Sequence, residues 1–206
     1  MLASAHARGV REFAITEHIF MLFEGQHLFP NQEEDGERSA LSDYVNAIRD
    51  HGRSSQPLVR LGLEVDYIPG TEDAVTALLE STEWDVLLGS IHEIDDIDLH
   101  MHTPQSREEG ERLWWRYYEL HAEAIESKFH GVALELNGYD TTHFPHLVER
   151  LAAACGRTGC VVSFGSDAHA PEDVGRGLER AAAFAHAAGV RSALTVERRD
   201  RRLVPL

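Results

Sequence analysis

The sequence predicts a parallel α/β fold. Short apolar runs alternate with longer amphipathic stretches along the chain, no repeat or low-complexity linker interrupts them, and four of the apolar runs end in a side chain able to bind a metal. Alternation of this kind builds a parallel sheet with its functional loops at the strand C-termini. The four endings are Ile15-Thr16-Glu17-His18, Leu61-Gly62-Leu63-Glu64, Leu88-Gly89-Ser90-Ile91-His92, and Phe164-Gly165-Ser166-Asp167-Ala168-His169. A single strand-end histidine is ordinarily a surface or satisfied core residue. Four such endings on one short chain point to a barrel-type enzyme with a metal site in its mouth.

The elements follow in order. Residues 1–10 read as the end of a helix with Gly9 as its C-cap, leading into a strand over 12–16. A charged polar loop (29–35) precedes a helix over 39–51, and 57–64 is the next strand. Pro69-Gly70 makes a loop before a helix over 71–81, and 84–90 is a buried strand. A flexible polar loop rich in Asp and His then runs to Pro104. A long helix over 107–127 carries Trp114, Tyr117, Tyr118 and Ile125 on or near one face, a stripe that reads as core packing. Residues 132–136 form a strand, 146–156 a helix, and 161–165 the strand before Ser166-Asp167-Ala168-His169. Pro171 opens an alanine-rich helix that ends at Gly189, and 192–196 is the last strand before a basic stretch, 198–202.

Size and composition bound the class. A chain of 206 residues fits a single domain over 1–206. No apolar run approaches the length of a membrane span and the first residues are no signal peptide, so neither a membrane partner nor export is expected. Cys155 and Cys160 are the only cysteines, and their C-x4-C spacing is a poor zinc knuckle; reduced or buried thiols in a cytoplasmic protein fit better. A formal charge of −16 argues against a nucleic-acid partner bound through a basic surface. It leaves room for a small phosphorylated substrate, because bound divalent cations supply positive charge locally. Of the 13 histidines, His6, His51, His121 and His186 fall on predicted helices away from any strand tip.

Zinc, manganese or iron take imidazole and carboxylate ligands, and multi-metal sites commonly share a bridging carboxylate. Glu64 is the natural bridge, a lone acid at a strand tip with no basic neighbour in sequence. Asp167 and His169 could reach different metals of one cluster. Two nearby cations would acidify a water and neutralise charge on a phosphoryl group, which is the chemistry of phosphomonoester hydrolysis. The structural alternative is an Asp–His hydrogen-bond pair beside a buried, partnered Glu64.

These residues resemble a family. T-E-H (16–18), G-L-E-V-D-Y-I-P-G (62–70), W-D-V-L-L-G-S-I-H (84–92), A-L-E-L-N (133–137) and G-S-D-A-H (165–169) are similar in kind and order to the motifs of the polymerase-and-histidinol-phosphatase (PHP) superfamily, nearest its histidinol-phosphatase branch. The resemblance covers nearly the whole chain. It implies a distorted (β/α)7 TIM-like barrel, two or three divalent metal ions, and hydrolysis of histidinol phosphate to histidinol and phosphate in histidine biosynthesis. Carried over by position, Glu64 bridges the first and second metals, Asp167 binds the first, His92 the second, and His18 and His169 the third. Glu64, Asp167 and His169 thereby become the catalytic set. Asn137 lines the substrate pocket, and Arg176, after S-D-A-H, is the candidate phosphate grip, its alternative being a solvated helix residue.

Two elements of the family pattern are lacking in the sequence. The first strand, with an H-x-H pair, and the fifth, ending in another His, have no counterpart, and Lys128-Phe129-His130-Gly131 reads as the start of the fifth spliced onto the sixth. The expectation is therefore a partial barrel whose sites keep two family ligands each, fewer than the three usual for a catalytic zinc. Asp98-Leu99-His100-Met101-His102-Thr103 matches the family's D-x-H-x-H-T displaced along the chain. His100 and His102 are thus substitute-ligand candidates, although a polar loop matching a short pattern by accident is the favoured reading. An open barrel exposes strand edges and apolar surface, which favours a homo-oligomer. Other readings are a phosphoesterase for another small phosphate ester and a non-catalytic remnant that binds metal or phosphate.

Overall fold

The computed structural model describes residues 1–32, 36–52, 56–99, 101–126, 134–197 and 200–206. Strands and helices alternate as expected: α1 (Leu2–Ala7), β1 (Glu12–His18), α2 (Phe23–Gln26), α3 (Leu41–Gly52), β2 (Leu58–Asp66), α4 (Glu72–Leu79), β3 (Val86–Ser90), β4 (Glu93–Ile94), β5 (Ile97–Asp98), α5 (Arg107–Glu126), β6 (Leu134–Asn137), α6 (Gly138–His143), α7 (Pro145–Thr158), β7 (Val162–Gly165), α8 (Leu178–Ala187), β8 (Ser192–Glu197) and β9 (Asp200–Pro205). The strands pair as three sheets, β1-β2-β3, β4-β5 and β6-β7-β8-β9, and no pairing among the described residues closes a barrel. The α/β reading holds. The fifth strand, expected to be lacking, falls at 127–133, outside the described residues, as does His130.

The chain divides into two compact units. The unit made of Thr16–Ala47 and Leu61–Val132 is cored by Ile19, Leu22, Phe29, Leu63, Val65, Ile94 and Leu120. β2 and β3 run parallel, with Glu64 opposite Leu88 and Asp66 opposite Ser90. Alternation puts Glu64 and Asp66 on one face of β2. The Tyr44 hydroxyl on α3 donates to the Gly62 carbonyl at 2.9 Å and accepts from the Glu17 amide at 3.3 Å, tying the end of β1 and the middle of β2 to one side chain. β1 runs on to His18, two residues beyond the expected strand end, so the histidine leaves the sheet in extended backbone.

Two expectations in this unit change. The segment after His92, read as a flexible polar loop, contains the antiparallel hairpin β4-β5. Asp95 and Asp96 adopt φ of 50° and 65°, the left-handed values of a tight two-residue turn that aspartate tolerates, and Ile94 is buried beneath it. On α5 the expected core stripe fails at Trp114. Leu113 and Leu120, two turns apart, are buried, whereas Trp114 is 45% and Trp115 72% exposed. Tyr117 is half-buried, and the side chains of Tyr118 and Ile125 lie outside the described set. Among the described residues the buried line runs Leu113, Tyr117, Leu120, and Trp114 lies one position off it.

The other unit comprises Met1–Ile15, Ile48–Arg60 and Ala133–Leu206. In its four-stranded sheet β6, β7 and β8 are parallel and β9 returns antiparallel to β8, pairing Leu194 with Leu203 and Glu197 with Asp200. The core joins Leu136, Val162 and Ala193 from strands with Val148, Ala152 and Cys155 of α7 and Ala181 and Ala185 of α8. The helices meet closely because the facing residues are small: a Cβ at Gly156 would lie 2.0 Å from the Ala188 carbonyl oxygen. The expected continuous helix after Pro171 is interrupted. A 3-10 turn (Pro171–Asp173) comes first, and Gly175 and Gly177, with φ of 79° and 71°, delay α8 until Leu178. The short helix α6 was not expected from Gly-Tyr-Asp-Thr-Thr; Asn137 nucleates it by capping.

Candidate metal centre

The ends of β1, β2 and β3 bring His18, Glu64, Asp66 and His92 together. Asp66 Oδ1 lies 2.6 Å from His92 Nδ1 and accepts the His92 backbone N–H at 3.2 Å. A carboxylate in that position holds the proton on Nδ1, which leaves Nε2 with its lone pair outward. Glu64 Oε1 is 3.5 Å from His92 Nε2 and 3.8 Å from His18 Nδ1, so one carboxylate oxygen faces both imidazoles. The rings are fixed by packing: His18 stacks on buried Phe20 at 4.8 Å and meets His92 edge-on at 4.9 Å. His18, Asp66 and His92 each offer a ligand atom within 4.8 Å of the others.

The donor set fits a divalent cation on a specific observation. Asp66 is fully buried, and its Oδ2 has no hydrogen-bond donor among the described residues. A buried carboxylate oxygen without a donor is costly unless a cation completes it. Imidazole nitrogen beside carboxylate oxygen suits zinc, manganese or iron. Glu93, next in chain, is also buried; burial pushes its carboxyl above the ordinary range despite the hydrogen bond from Asn31 Nδ2 at 3.1 Å, and the charges of Asp96, Asp66 and Asp98 add to the rise.

Asp167 and His169 adjoin at the end of β7 in the other unit. His169 Nδ1 is 3.3 Å from the Asp167 carbonyl oxygen and 3.6 Å from its Oδ1, and the imidazole is largely exposed. Asp167 takes φ of 49°, which turns its side chain at the strand exit. At the end of β7, a Cβ on Gly165 would fall 2.2 Å from Oε2 of Glu135 on neighbouring β6, so glycine there makes room for a second carboxylate. Asp140 is a third acid of this end; burial, then the charge of Asp167, raises its pKa, and His143 works against them.

The remaining sequence candidates are engaged within the chain. Asn137 Oδ1 accepts the amides of Tyr139 at 2.7 Å and Asp140 at 3.1 Å, which makes it the N-cap of α6. The Arg176 guanidinium pairs with Asp173 three residues earlier. His102 Nε2 meets Glu109 Oε1 at 2.8 Å at the start of α5, and Glu109 is held below the usual carboxylate range by the Gln105 amide first and His102 second. His100 lies outside the described residues. His121, away from the site, has its pKa lowered by burial.

Sequence reasoning passed over Asp66, Glu135 and Asp140. The first two carried a signal: E-x-D at 64–66 and E-x-N at 135–137 put both polar residues of each pair on one strand face. Asp140 carried none, because it depends on an unexpected helix.

Comparison with known proteins gives the frame. The chain matches the solved structure of histidinol phosphate phosphatase (HisK) from Lactococcus lactis subsp. lactis Il1403, complexed with zinc, L-histidinol and phosphate, with a TM-score of 0.69 at 18% identity. That match covers 97% of this chain and 90% of the other. No functionally curated protein matches the chain. The PHP domain model matches residues 1–159, well over half of the 206 residues; three of the four strand tips, those of His18, Glu64 and His92, lie in that span, whereas Asp167 and His169 follow it: the chain belongs to the PHP domain family.

Proposed function

We propose that this protein is a metal-dependent phosphomonoesterase that hydrolyses histidinol phosphate to histidinol and phosphate, a step of histidine biosynthesis in the cytoplasm. The observation that carries the reading is the His18–Glu64–Asp66–His92 cluster with its unclaimed, fully buried Asp66 Oδ2, in a chain of the PHP family. Zinc, manganese or iron held there would supply Lewis acidity toward a phosphoryl oxygen and lower the pKa of water. His18, Glu64 and His92 are proposed ligands, with Asp66 as a further acid that also aligns His92; Asp167 and His169 are proposed ligands on the family pattern. Glu64, Asp167 and His169 are the proposed catalytic residues, and Asn137 and Arg176 the proposed substrate contacts.

Asp66 holds a proton on His92 Nδ1 and so presents Nε2, while Phe20 keeps the His18 ring from turning. Glu64 places negative charge between the two imidazoles. These contacts fix both rings in advance, which limits the reorganisation that receiving a cation would require. A second reading, a phosphoesterase for a different small phosphate ester, is favoured by one observation. Asn137 Oδ1 and the Arg176 guanidinium are already engaged by chain partners, so phosphate recognition by these two would first cost those contacts.

Phosphate release decides between them. Chelator-treated protein is assayed on histidinol phosphate and on a panel of sugar, glycerol and amino-alcohol phosphates, with zinc, manganese or iron(II) added back. The reading expects histidinol phosphate to be preferred and turnover to require the ion. Preference for another ester selects the second reading. Metal binding with no ester hydrolysed defeats both in favour of a non-catalytic remnant.

A further inference from the structure

Outside the proposed site, the only two cysteines of the chain sit at one helix end. α7 finishes with Gly159 in the left-handed conformation, φ 71° and ψ 22°, and the Gly159 amide donates to the Cys155 carbonyl at 2.8 Å. In that cap the glycine is the first residue past the helix end, Cys155 stands four residues before it and Cys160 immediately after. These are the two positions whose side chains a left-handed helix cap brings into contact. Both thiols belong to one packing cluster, Cys155 inside the core and Cys160 against it. Cys155 is 3% exposed within the core, whereas Cys160 is partly exposed, packs on the same core, and has its Sγ 3.5 Å from the Val161 carbonyl oxygen.

We propose that Cys155 and Cys160 are a thiol–disulfide modification site, closing reversibly into an intrachain disulfide that clips the end of α7 to the entry of β7. The oxidant class is a low-molecular-weight disulfide such as oxidised glutathione. The Cys160 thiolate attacks one sulfur of that disulfide, forming a mixed disulfide and expelling one small thiolate. Cys155 then gives up its proton and attacks the Cys160 sulfur, forming the Cys155–Cys160 bond and expelling the second small thiolate. Two protein thiols are oxidised, one small disulfide is reduced to two thiols, and no other co-reactant enters. The order follows exposure, since Cys160 alone can be reached first. The direction of the shifts agrees: the neighbouring Cys155 lowers the Cys160 pKa, while Cys160 and burial raise that of Cys155.

The test is mass spectrometry of the folded, full-length chain after incubation with oxidised glutathione, followed by unfolding and alkylation. The expected product is a monomer lighter by two hydrogens, with neither thiol alkylated, that regains both on treatment with a dithiol reductant. Cys155→Ser should stop at a lasting glutathione adduct on Cys160. Wild-type protein that keeps both thiols, ends as the mixed adduct, or cross-links into dimers overturns the proposal. Should Cys155→Ser fail to fold, the wild-type mass alone still decides.

Discussion

At the scale of single residues, Asp66 has the largest expected effect. It is fully buried and touches His92 through both the backbone amide and the ring. Asp66→Asn keeps the shape but removes the charge, so metal affinity is expected to fall about 10–100-fold, as when the carboxylate partner of a ligating histidine is lost. Equilibrium dialysis with zinc measures this, and unchanged affinity would remove Asp66 from the site. Glu64→Gln and Asp167→Asn are expected to lower bound metal more than His102→Ala, because His102 is occupied by Glu109 at 2.8 Å. Metal analysis of the purified variants checks the order. Loss of metal in His102→Ala instead would restore the displaced D-x-H-x-H-T segment as a ligand set.

At the scale of elements, two joints are exposed to test. The Tyr44 hydroxyl bridges α3 to the Glu17 amide of β1 and the Gly62 carbonyl of β2. Tyr44→Phe is expected to cost about 1–2 kcal/mol in urea unfolding, the price of a lost buried hydrogen bond and its orphaned partners. Burial, the largest cause, raises the Tyr44 pKa above its ordinary 10.0. The sign then follows: the neutral phenol contributes fully below pH 10, and its contribution is lost as pH climbs toward the raised folded value. The stability gap between wild type and Tyr44→Phe should therefore shrink above about pH 10, and a gap that widens there would contradict the assignment. The second joint is the contact of Gly138, opening α6, with the Arg176-Gly177 backbone. A Cβ on Gly138 would lie 1.9 Å from the Arg176 carbonyl oxygen, and backbone cannot swing aside as a side chain does. Gly138→Ala should cost about 1–3 kcal/mol by overpacking, read from the midpoint of chemical unfolding.

At the scale of the whole molecule, cation binding and stability are one equilibrium. A chain with a formal charge of −16 whose site holds a buried carboxylate oxygen without a donor among the described residues gains on both counts from a divalent ion. Zinc at 100 times its dissociation constant should add about 2.7 kcal/mol to unfolding, seen as a rise in Tm that a chelator reverses. Asp66→Asn should lose from about half to most of that rise at the same zinc concentration, for a roughly 10- to 100-fold weaker site. Equal shifts in both proteins would mean that the ion acts elsewhere on the acidic surface.

The alternation of apolar runs with amphipathic stretches determined the α/β order, and strand-end placement picked out His18, Glu64, His92, Asp167 and His169, because a strand's period and its exit are local properties of sequence. Even Asp66 was legible in the E-x-D spacing, had the period of two been applied to the acids as it was to the apolar residues. What lay beyond the sequence was partnership. Glu109 takes His102, Asp173 takes Arg176, and the amides of α6 take Asn137, so three residues chosen for metal or phosphate are engaged by chain neighbours. Trp114 on α5 failed for a similar reason: burial is set by what packs opposite, and there Leu113 and Leu120 were chosen over it. A hydrogen-bonding side chain has several local suitors of nearly equal energy, and only the tertiary structure, by fixing distances between elements, decides which one it keeps.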